Sequence, residues 1–183
     1  YRCSSEIDVV INLPACVIML GGMVGYGGQA NTIMHLYDCV TNARWTGSAR
    51  YSHIAVGIGW NIGLPTIENV IGSVDATTTS YPFSGSLLGT GANTAMKNIY
   101  VKGQTGSETT SKNSIIAASC TAGTMTASNI NVVKESESYA PLQGGSYDAL
   151  GTNVTEYSNS DIMLASAKTF FGSDQYNKIW DVS

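Results

Sequence analysis

The chain has 183 residues, of which 43% are hydrophobic and only 12% are charged, and its formal net charge is −4. This apolar content excludes an intrinsically disordered chain, and the length suits one domain with a hydrophobic core. Its nine Lys and Arg residues are scattered, which argues against a nucleic-acid partner, because such partners require a basic patch.

The N-terminal segment, residues 1–20, is predicted to form a strand. Ile7, Val9 and Ile11 occupy every second position of EIDVVINL, a partly two-sided strand pattern. The apolar run VVINLPACVIML, residues 9–20, overlaps this strand. It has about 12 residues, whereas a membrane span requires roughly 20. We therefore expect no membrane span and a strand whose Ile7, Val9 and Ile11 are available for exchange with a partner.

The stretch GGMVGYGGQA, residues 21–30, matches the glycine fingerprint of a dinucleotide loop. However, VGYG at 24–27 returns as VGIG at 56–59 and LGTG at 88–91, each time after 32 residues. A dinucleotide loop occurs once and precedes a helix, whereas these glycines follow short apolar runs. We therefore predict no cofactor and assign the glycines to structural turns, at Gly25, Gly27, Gly57, Gly59, Gly89 and Gly91.

A second series places a short polar residue before an apolar one, at Asp38, Asn69, Asn98 and Asn129, with spacings of 31, 29 and 31 residues. Two series with one period predict an all-β chain, a right-handed parallel β-solenoid of about five coils of roughly 30 residues. The polar side chains are expected to bond to the backbone at turns. An inner apolar row is predicted at Val24, Val56, Leu88, Ile116 and Leu150.

Residues 158–183 differ from this pattern. SDIMLASAKTFFG predicts a helix with Ser160 as its cap and Gly172 at its end. NKIWDVS, residues 177–183, is interpreted as a last strand. Together they are expected to cap an open solenoid end, since uncovered strand edges promote aggregation. The whole chain, 1–183, is thus predicted to be a single domain.

These motifs resemble GLUG-type repeats. GGMVGYG, VGIG and LGTG are similar to the core of that repeat, and TIENV and AMKNI are similar to its T-I-x-N-C strand, with Cys39 at the frequent Cys position. The resemblance covers residues 20–183, except that Ala117 and Ala118 replace the glycines of the fourth repeat. It implies a bacterial extracellular or cell-surface location, as in adhesins, and no transferable catalytic residue.

Catalytic signals are weak. His35 and His53 are 18 residues apart, are expected in different coils, and have no third ligand at a repeating spacing, so no metal site is predicted. The acidic residues are scattered and no D-x-D pair occurs. The chain is therefore predicted not to be an enzyme. A polysaccharide-acting β-helix enzyme is a weaker alternative, because carboxylates from adjacent coils can meet.

Binding signals are stronger. Trp45, Tyr51 and Trp60 lie within one repeat, and aromatic faces stack on sugars, so they are candidates for binding a glycan or a partner protein. Core packing is the alternative for the same residues. Asn153-Val154-Thr155 is a glycosylation sequon. The four cysteines permit three disulfide pairings, and a Cys3–Cys16 bridge and buried free thiols are both open.

Two functional hypotheses follow from these signals. The first is a non-catalytic extracellular surface module of adhesin or structural type, with a surface glycan or protein as its partner. The alternative is the protomer of an extracellular filament that self-assembles head to tail through its N-terminal strand.

Overall fold

The computed structural model describes residues 3–29, 31–55, 58–60, 63–78, 82–85, 88–91, 93–105, 113–120, 125–133, 140–142 and 153–180. The strands in these ranges are β1 (Cys3–Gly21), β2 (Val24–Tyr26), β3 (Ile33–Ala55), β4 (Ile58–Trp60), β5 (Leu64–Thr78), β6 (Pro82–Gly85), β7 (Leu88–Gly91), β8 (Ala95–Thr105), β9 (Asn113–Cys120), β10 (Thr126–Val133), β11 (Ala140–Leu142) and β12 (Val154–Tyr157). The helices are α1 (Ser160–Phe171) and α2 (Ser173–Trp180).

The described strands form one sheet in which neighbours run parallel. The strand order is β12-β10-β8-β5-β3-β6-β9-β7-β4-β2, while β1 pairs with β3 and β11 pairs with β9. Each strand lies beside the equivalent segment about one repeat further along the chain, as β5 does beside β8 and β8 beside β10. The expectation of a mostly β chain with parallel pairing is confirmed.

The main core lies on one face of β3, β5, β8 and β10. Successive register partners Cys39, Val70, Ile99 and Ile130 are all buried. Because equivalent residues stack directly on one another, each strand adds the same side-chain layer to the core. The remaining members of the main core are Ile58, Ile67, Met96, Val101 and Val132.

A polar row runs beside this core. Asp38, Asn69, Asn98 and Asn129, the asparagine ladder, all have left-handed backbone, with φ between 52° and 56°. The Nδ2 of Asn69 donates to Asp38 Oδ1 at 2.8 Å, and the equivalent bonds from Asn98 and Asn129 measure 2.9 and 3.1 Å. The sequence correctly predicted the members of this row. The printed bonds of the ladder join side chain to side chain across strands, rather than side chain to backbone as expected.

The ladder has a start and an end. Asp38 is an acceptor without an amide, so no donor at this end requires a partner. At the other end, Asn131 Nδ2 donates to Asn129 Oδ1 at 2.9 Å, within the same strand. The row of amides is therefore closed by residues that belong to the chain itself.

The left-handed residue also changes which side chains face the core. Ile67 and Val70 are both buried although they are three residues apart, an odd spacing that a straight strand places on opposite faces. Asn69 lies between them with φ 56° and restores the inward phase at Val70. The same residue that carries the ladder thus bends the strand around the core.

The C-terminal helices pack on the flank of the sheet, against outward-facing side chains. Tyr100 and Val133 form an outer cluster with Met163 and Ala167 of α1, and the rings of Tyr100 and Phe171 lie 6.0 Å apart. Tyr157 of β12 packs against the same cluster, and its hydroxyl lies 2.8 Å from Ser166 Oγ of α1. The predicted role of this segment as the cap of a solenoid end stays a prediction.

Two local predictions at the C-terminus are wrong. The N-cap of α1 is Asn159, whose Oδ1 accepts from Ile162 N at 3.0 Å, rather than Ser160. Residues 173–180 form α2 instead of contributing to a last strand, because Gly172, with φ 73°, ends α1 and Asp174 lies in a new first turn. Within the described residues, neither helix has the length and apolar character needed to cross a membrane.

The predicted glycine turns are wrong for the glycines of the described strands, which are Gly25 in β2, Gly59 in β4, and Gly89 and Gly91 in β7. At Gly25 the requirement is close approach, since a Cβ would lie 2.8 Å from the carbonyl oxygen of Met19. Gly27 is buried directly after β2. Gly57 lies outside the described residues.

The inner row of the glycine strands is shifted from its predicted members. Val24 pairs with Ile58, Ile58 with Leu88, and Leu88 with Ala117. Ile58 therefore takes the place predicted for Val56, and Ala117 takes the place predicted for Ile116. Val56 and Leu150 lie outside the described residues.

We predict that Asn98→Ala lowers the free energy of unfolding by about 3 kcal/mol. The substitution removes two ladder bonds at a buried site and places alanine in left-handed backbone. Urea denaturation of both proteins measures the difference.

The matched variant is Asn98→Gly, which loses the same bonds but tolerates φ 54°. We expect Asn98→Gly to be more stable than Asn98→Ala by about 1 kcal/mol. Equal stabilities of wild type and Asn98→Ala would contradict a stabilising ladder.

Candidate interaction surface

The candidate surface is the outer edge of β1. On one side, β1 pairs with β3 from Cys3–Cys39 to Leu13–Ala49 and, after an irregularity, from Val17–Tyr51 to Gly21–Ala55. On the other side, no strand among those described pairs with it. A strand of 19 residues thus presents the backbone groups of one edge, which is a template for pairing with another chain.

Three residues of β1 face the interior. The Ser5 hydroxyl hydrogen-bonds to that of Thr41, which is fully buried, so this side of the strand points inward. Ile7 and Val9 follow at every second position and are only half-buried. Their incomplete burial is what an end layer of a stacked core shows. Ile11 pairs in register with Gly47.

The opposite face of β1 contributes to a groove of about 270 Å³. Glu6 and Asp8 line it together with Arg44, the register partner of Asp8. Asn42 and Ser73 extend the wall, and Ser73 Oγ donates to Asn42 Oδ1 at 2.8 Å. Its ionic and amide groups suit hydrogen-bonding contacts with a polar partner.

Sequence reasoning missed the two carboxylates of this groove. The chain has no D-x-D pair, but Glu6-Ile7-Asp8 has the same spacing of two between its carboxylates. A period of two within a predicted strand was sufficient to place both carboxylates on one face.

The predicted aromatic residues lie in strands but in different register rows. Trp45 lies in β3 between Val9 and Ala76. Tyr51 pairs with Val17 in the same pair of strands. Trp60 lies in β4 beside Tyr26, which is 43% exposed. Their role in glycan binding stays a prediction.

The two histidines occupy the same strand, β3, rather than different coils as predicted. His35 is exposed, and its Nδ1 lies 3.1 Å from the Tyr37 hydroxyl with the two rings stacked. His53 pairs in register with Met19 and Phe83. Across the described ranges, no three His, Cys, Asp or Glu side chains lie close enough together to hold a metal ion.

Asn153, the sequon residue, is exposed at a bend that precedes β12. Its carbonyl oxygen accepts a hydrogen bond from Ile130 N at 3.0 Å. Glycosylation there stays a prediction.

In the structure Cys3 is not part of a disulfide, so the predicted alternative of a Cys3–Cys16 bridge is not formed.

The chain matches no known protein-family model, and no curated protein or solved structure is significantly similar to it. The resemblance to GLUG-type repeats stays a prediction from the sequence.

We predict that every second backbone amide of β1 exchanges rapidly with solvent. In a parallel strand, successive amides point to alternate neighbours, and the outer neighbour of β1 is missing among the described strands. Amide exchange followed by NMR at low protein concentration measures this pattern, and we expect at least a ~100-fold difference between the two sets.

The internal control is β5, which lies between β3 and β8 and should be protected at both sets of amides. Uniform protection of β1 in dilute solution would contradict an open edge.

Proposed function

We propose that this chain is a non-catalytic module of an extracellular surface protein, of adhesin or structural type. The observation that carries the proposal is the asparagine ladder. Its polar side chains hydrogen-bond to one another across neighbouring strands, which is a structural role. Asn98 and Asn131 are buried polar side chains, and both hydrogen-bond within the ladder or to its ends. A catalytic site requires polar side chains that are available to a substrate rather than engaged in hydrogen bonds within the fold.

The proposed architecture is a right-handed parallel β-solenoid of about five coils of roughly 30 residues. Ladder bonds that link residues 29 or 31 positions apart support it, because each bond joins one repeat to the next. Parallel pairing supports it too, since parallel strands of one sheet are nearly always joined by right-handed connections. In this architecture, β1 forms one end and β12 begins the other.

The surface location rests on the resemblance to GLUG-type repeats. The low share of charged residues, 12%, also suits a module that packs closely with its neighbours. In this role the stacked strands act as a rigid scaffold that displays aromatic residues to a partner, and Trp60 beside Tyr26 is the best-placed candidate.

We predict that Trp60→Ala reduces binding to a cell-surface polysaccharide about tenfold, because one aromatic stacking contact is lost. An array of immobilised glycans, probed with the purified chain, identifies the polysaccharide and measures the loss. Trp45→Ala tests the second candidate in the same assay.

The matched control is Trp180→Ala, since Trp180 belongs to α2 and not to the strands that carry Trp45 and Trp60. Equal losses in Trp60→Ala and Trp180→Ala would indicate general destabilisation and contradict a role in recognition. Absence of binding to any glycan would favour the structural role over the adhesin role.

A specific observation favours a second function, a filament protomer. Ile7 and Val9 are half-buried at one end of the core, and Val154 of β12 is half-buried at the other. Tyr157 of β12 packs against α1, and its hydroxyl lies 2.8 Å from Ser166 Oγ, so Val154 and the backbone edge are what β12 offers to a second copy. Stacking β1 of one copy on β12 of another completes both layers, and such a head-to-tail contact extends without closing.

We predict that the wild-type chain forms filaments that lengthen with concentration and that Ile7→Lys abolishes them. Lysine at this position introduces an unpaired charge into the contact, where its desolvation is costly. Negative-stain electron microscopy and sedimentation velocity over a concentration series measure the effect.

Val10→Lys is the matched control, because it adds the same charge to the same strand at a side chain that is 78% exposed on the opposite face. We expect Val10→Lys to assemble like the wild type. Monomers at every concentration for all three proteins would reject the filament and leave the surface module.

A further inference from the structure

Two cysteines face each other across the first pair of strands. Cys3 of β1 and Cys39 of β3 are register partners. Neighbouring strands lie about 4.8 Å apart, within the 4.4–6.8 Å range between Cα atoms that a disulfide requires. Cys3 is exposed and Cys39 is 1% exposed, and neither is part of a disulfide in the structure.

The environment of Cys39 links the two thiols directly. Burial, and then the adjacent Cys3 thiol, raise the pKa of the Cys39 thiol above its ordinary value. The Cys39 thiol donates a hydrogen bond to the Tyr37 carbonyl oxygen, at 3.3 Å from Sγ.

We propose that Cys3 and Cys39 form an intrachain disulfide that fastens the edge strand β1 to β3 under oxidising conditions. The other two cysteines have no such arrangement. Cys120 pairs in register with Gly91. Cys16 lies within the irregular part of β1, between the paired segments that end at Leu13 and resume at Val17.

The oxidant in this proposal is a low-molecular-weight disulfide, such as oxidised glutathione. The Cys3 thiolate attacks one sulfur of glutathione disulfide, which forms a mixed disulfide and releases one reduced glutathione. The Cys39 thiolate then attacks Cys3 Sγ, so the Cys3–Cys39 bond forms and a second glutathione leaves with the electron pair. Two thiols are oxidised and one disulfide is reduced. Exposed Cys3 reacts first because Cys39 is screened from the reagent.

The bond has a structural consequence for the open edge. It closes a loop from residue 3 to residue 39 and links the end strand of the sheet covalently to its neighbour, which restricts the unfolded chain. It also holds β1 on its own copy of the chain, so that β1 presents its outer edge without leaving β3.

The experiment is peptide mapping of the native chain after incubation with oxidised glutathione and blocking of the remaining thiols. A protease that cleaves before Asp separates the cysteines, because cuts at Asp8, Asp38 and Asp75 leave Cys3, Cys16, Cys39 and Cys120 in four different peptides. We expect the peptide that ends at Ile7 to be linked to the peptide of residues 38–74, with the loss of two hydrogens.

The control is the same oxidation of the urea-unfolded chain. There the Cys3–Cys39 link should no longer be favoured over the other cysteine pairings. The variant Cys16→Ser/Cys120→Ser should retain the link, and Cys39→Ser should lose it. A link between the Cys3 and Cys16 peptides, or no link in the native chain, would overturn the proposal. Linked peptides from a covalent dimer on a non-reducing gel would also overturn it, since β1 of one copy would then lie on β3 of another.

Discussion

The left-handed backbone at four equivalent positions is the constraint on which the described core depends. At each position the chain must adopt a φ that most residues avoid, and Asn and Asp tolerate it best. The strain is offset because the side chain at that position bonds to its equivalents in the neighbouring strands. One residue type therefore solves two problems, the direction of the backbone and the satisfaction of a polar row beside an apolar core.

This constraint also explains the division into two clusters. After the left-handed residue, successive side chains of β8 alternate between the main core, which contains Ile99 and Val101, and the outer cluster, which contains Tyr100. The outer face is thus apolar where it meets α1. Strands β1 and β12 each pair with one neighbour among the described strands, so each leaves one backbone edge open.

The sequence predicted the members of the asparagine ladder correctly because short polar residues at a constant period are conspicuous. The prediction of strand register failed at the glycine strands. The repeat VGIG at 56–59 aligns Val24 with Val56, whereas Ile58-Gly59-Trp60 matches Val24-Gly25-Tyr26 equally well. A shift of two residues leaves every side chain on the same face, so hydrophobic alternation cannot distinguish the two registers. Only the contact between neighbouring strands, Val24 with Ile58, resolves it.

The candidate surface was predictable to a similar extent. The alternation of Ile7 and Val9 indicated an amphipathic strand, but the half-burial of these residues depends on which strand occupies the neighbouring layer. The position of α1 was not predictable, because an apolar run such as Ile99-Tyr100-Val101 does not reveal which of its residues faces outward. The Cys3–Cys39 pairing depends on a spacing of 36 residues, which departs from the period of the other repeats.

The closed ends of the asparagine ladder have a consequence for how such a chain lengthens in evolution. Each internal rung both donates and accepts, so a duplicated repeat inserted between Asn69 and Asn98 finds a donor on one side and an acceptor on the other. A repeat added before Asp38 meets a carboxylate that has no proton to give. Gene duplication within the array is therefore neutral for the hydrogen bonds, whereas growth beyond Asp38 first requires a change of that residue to an amide.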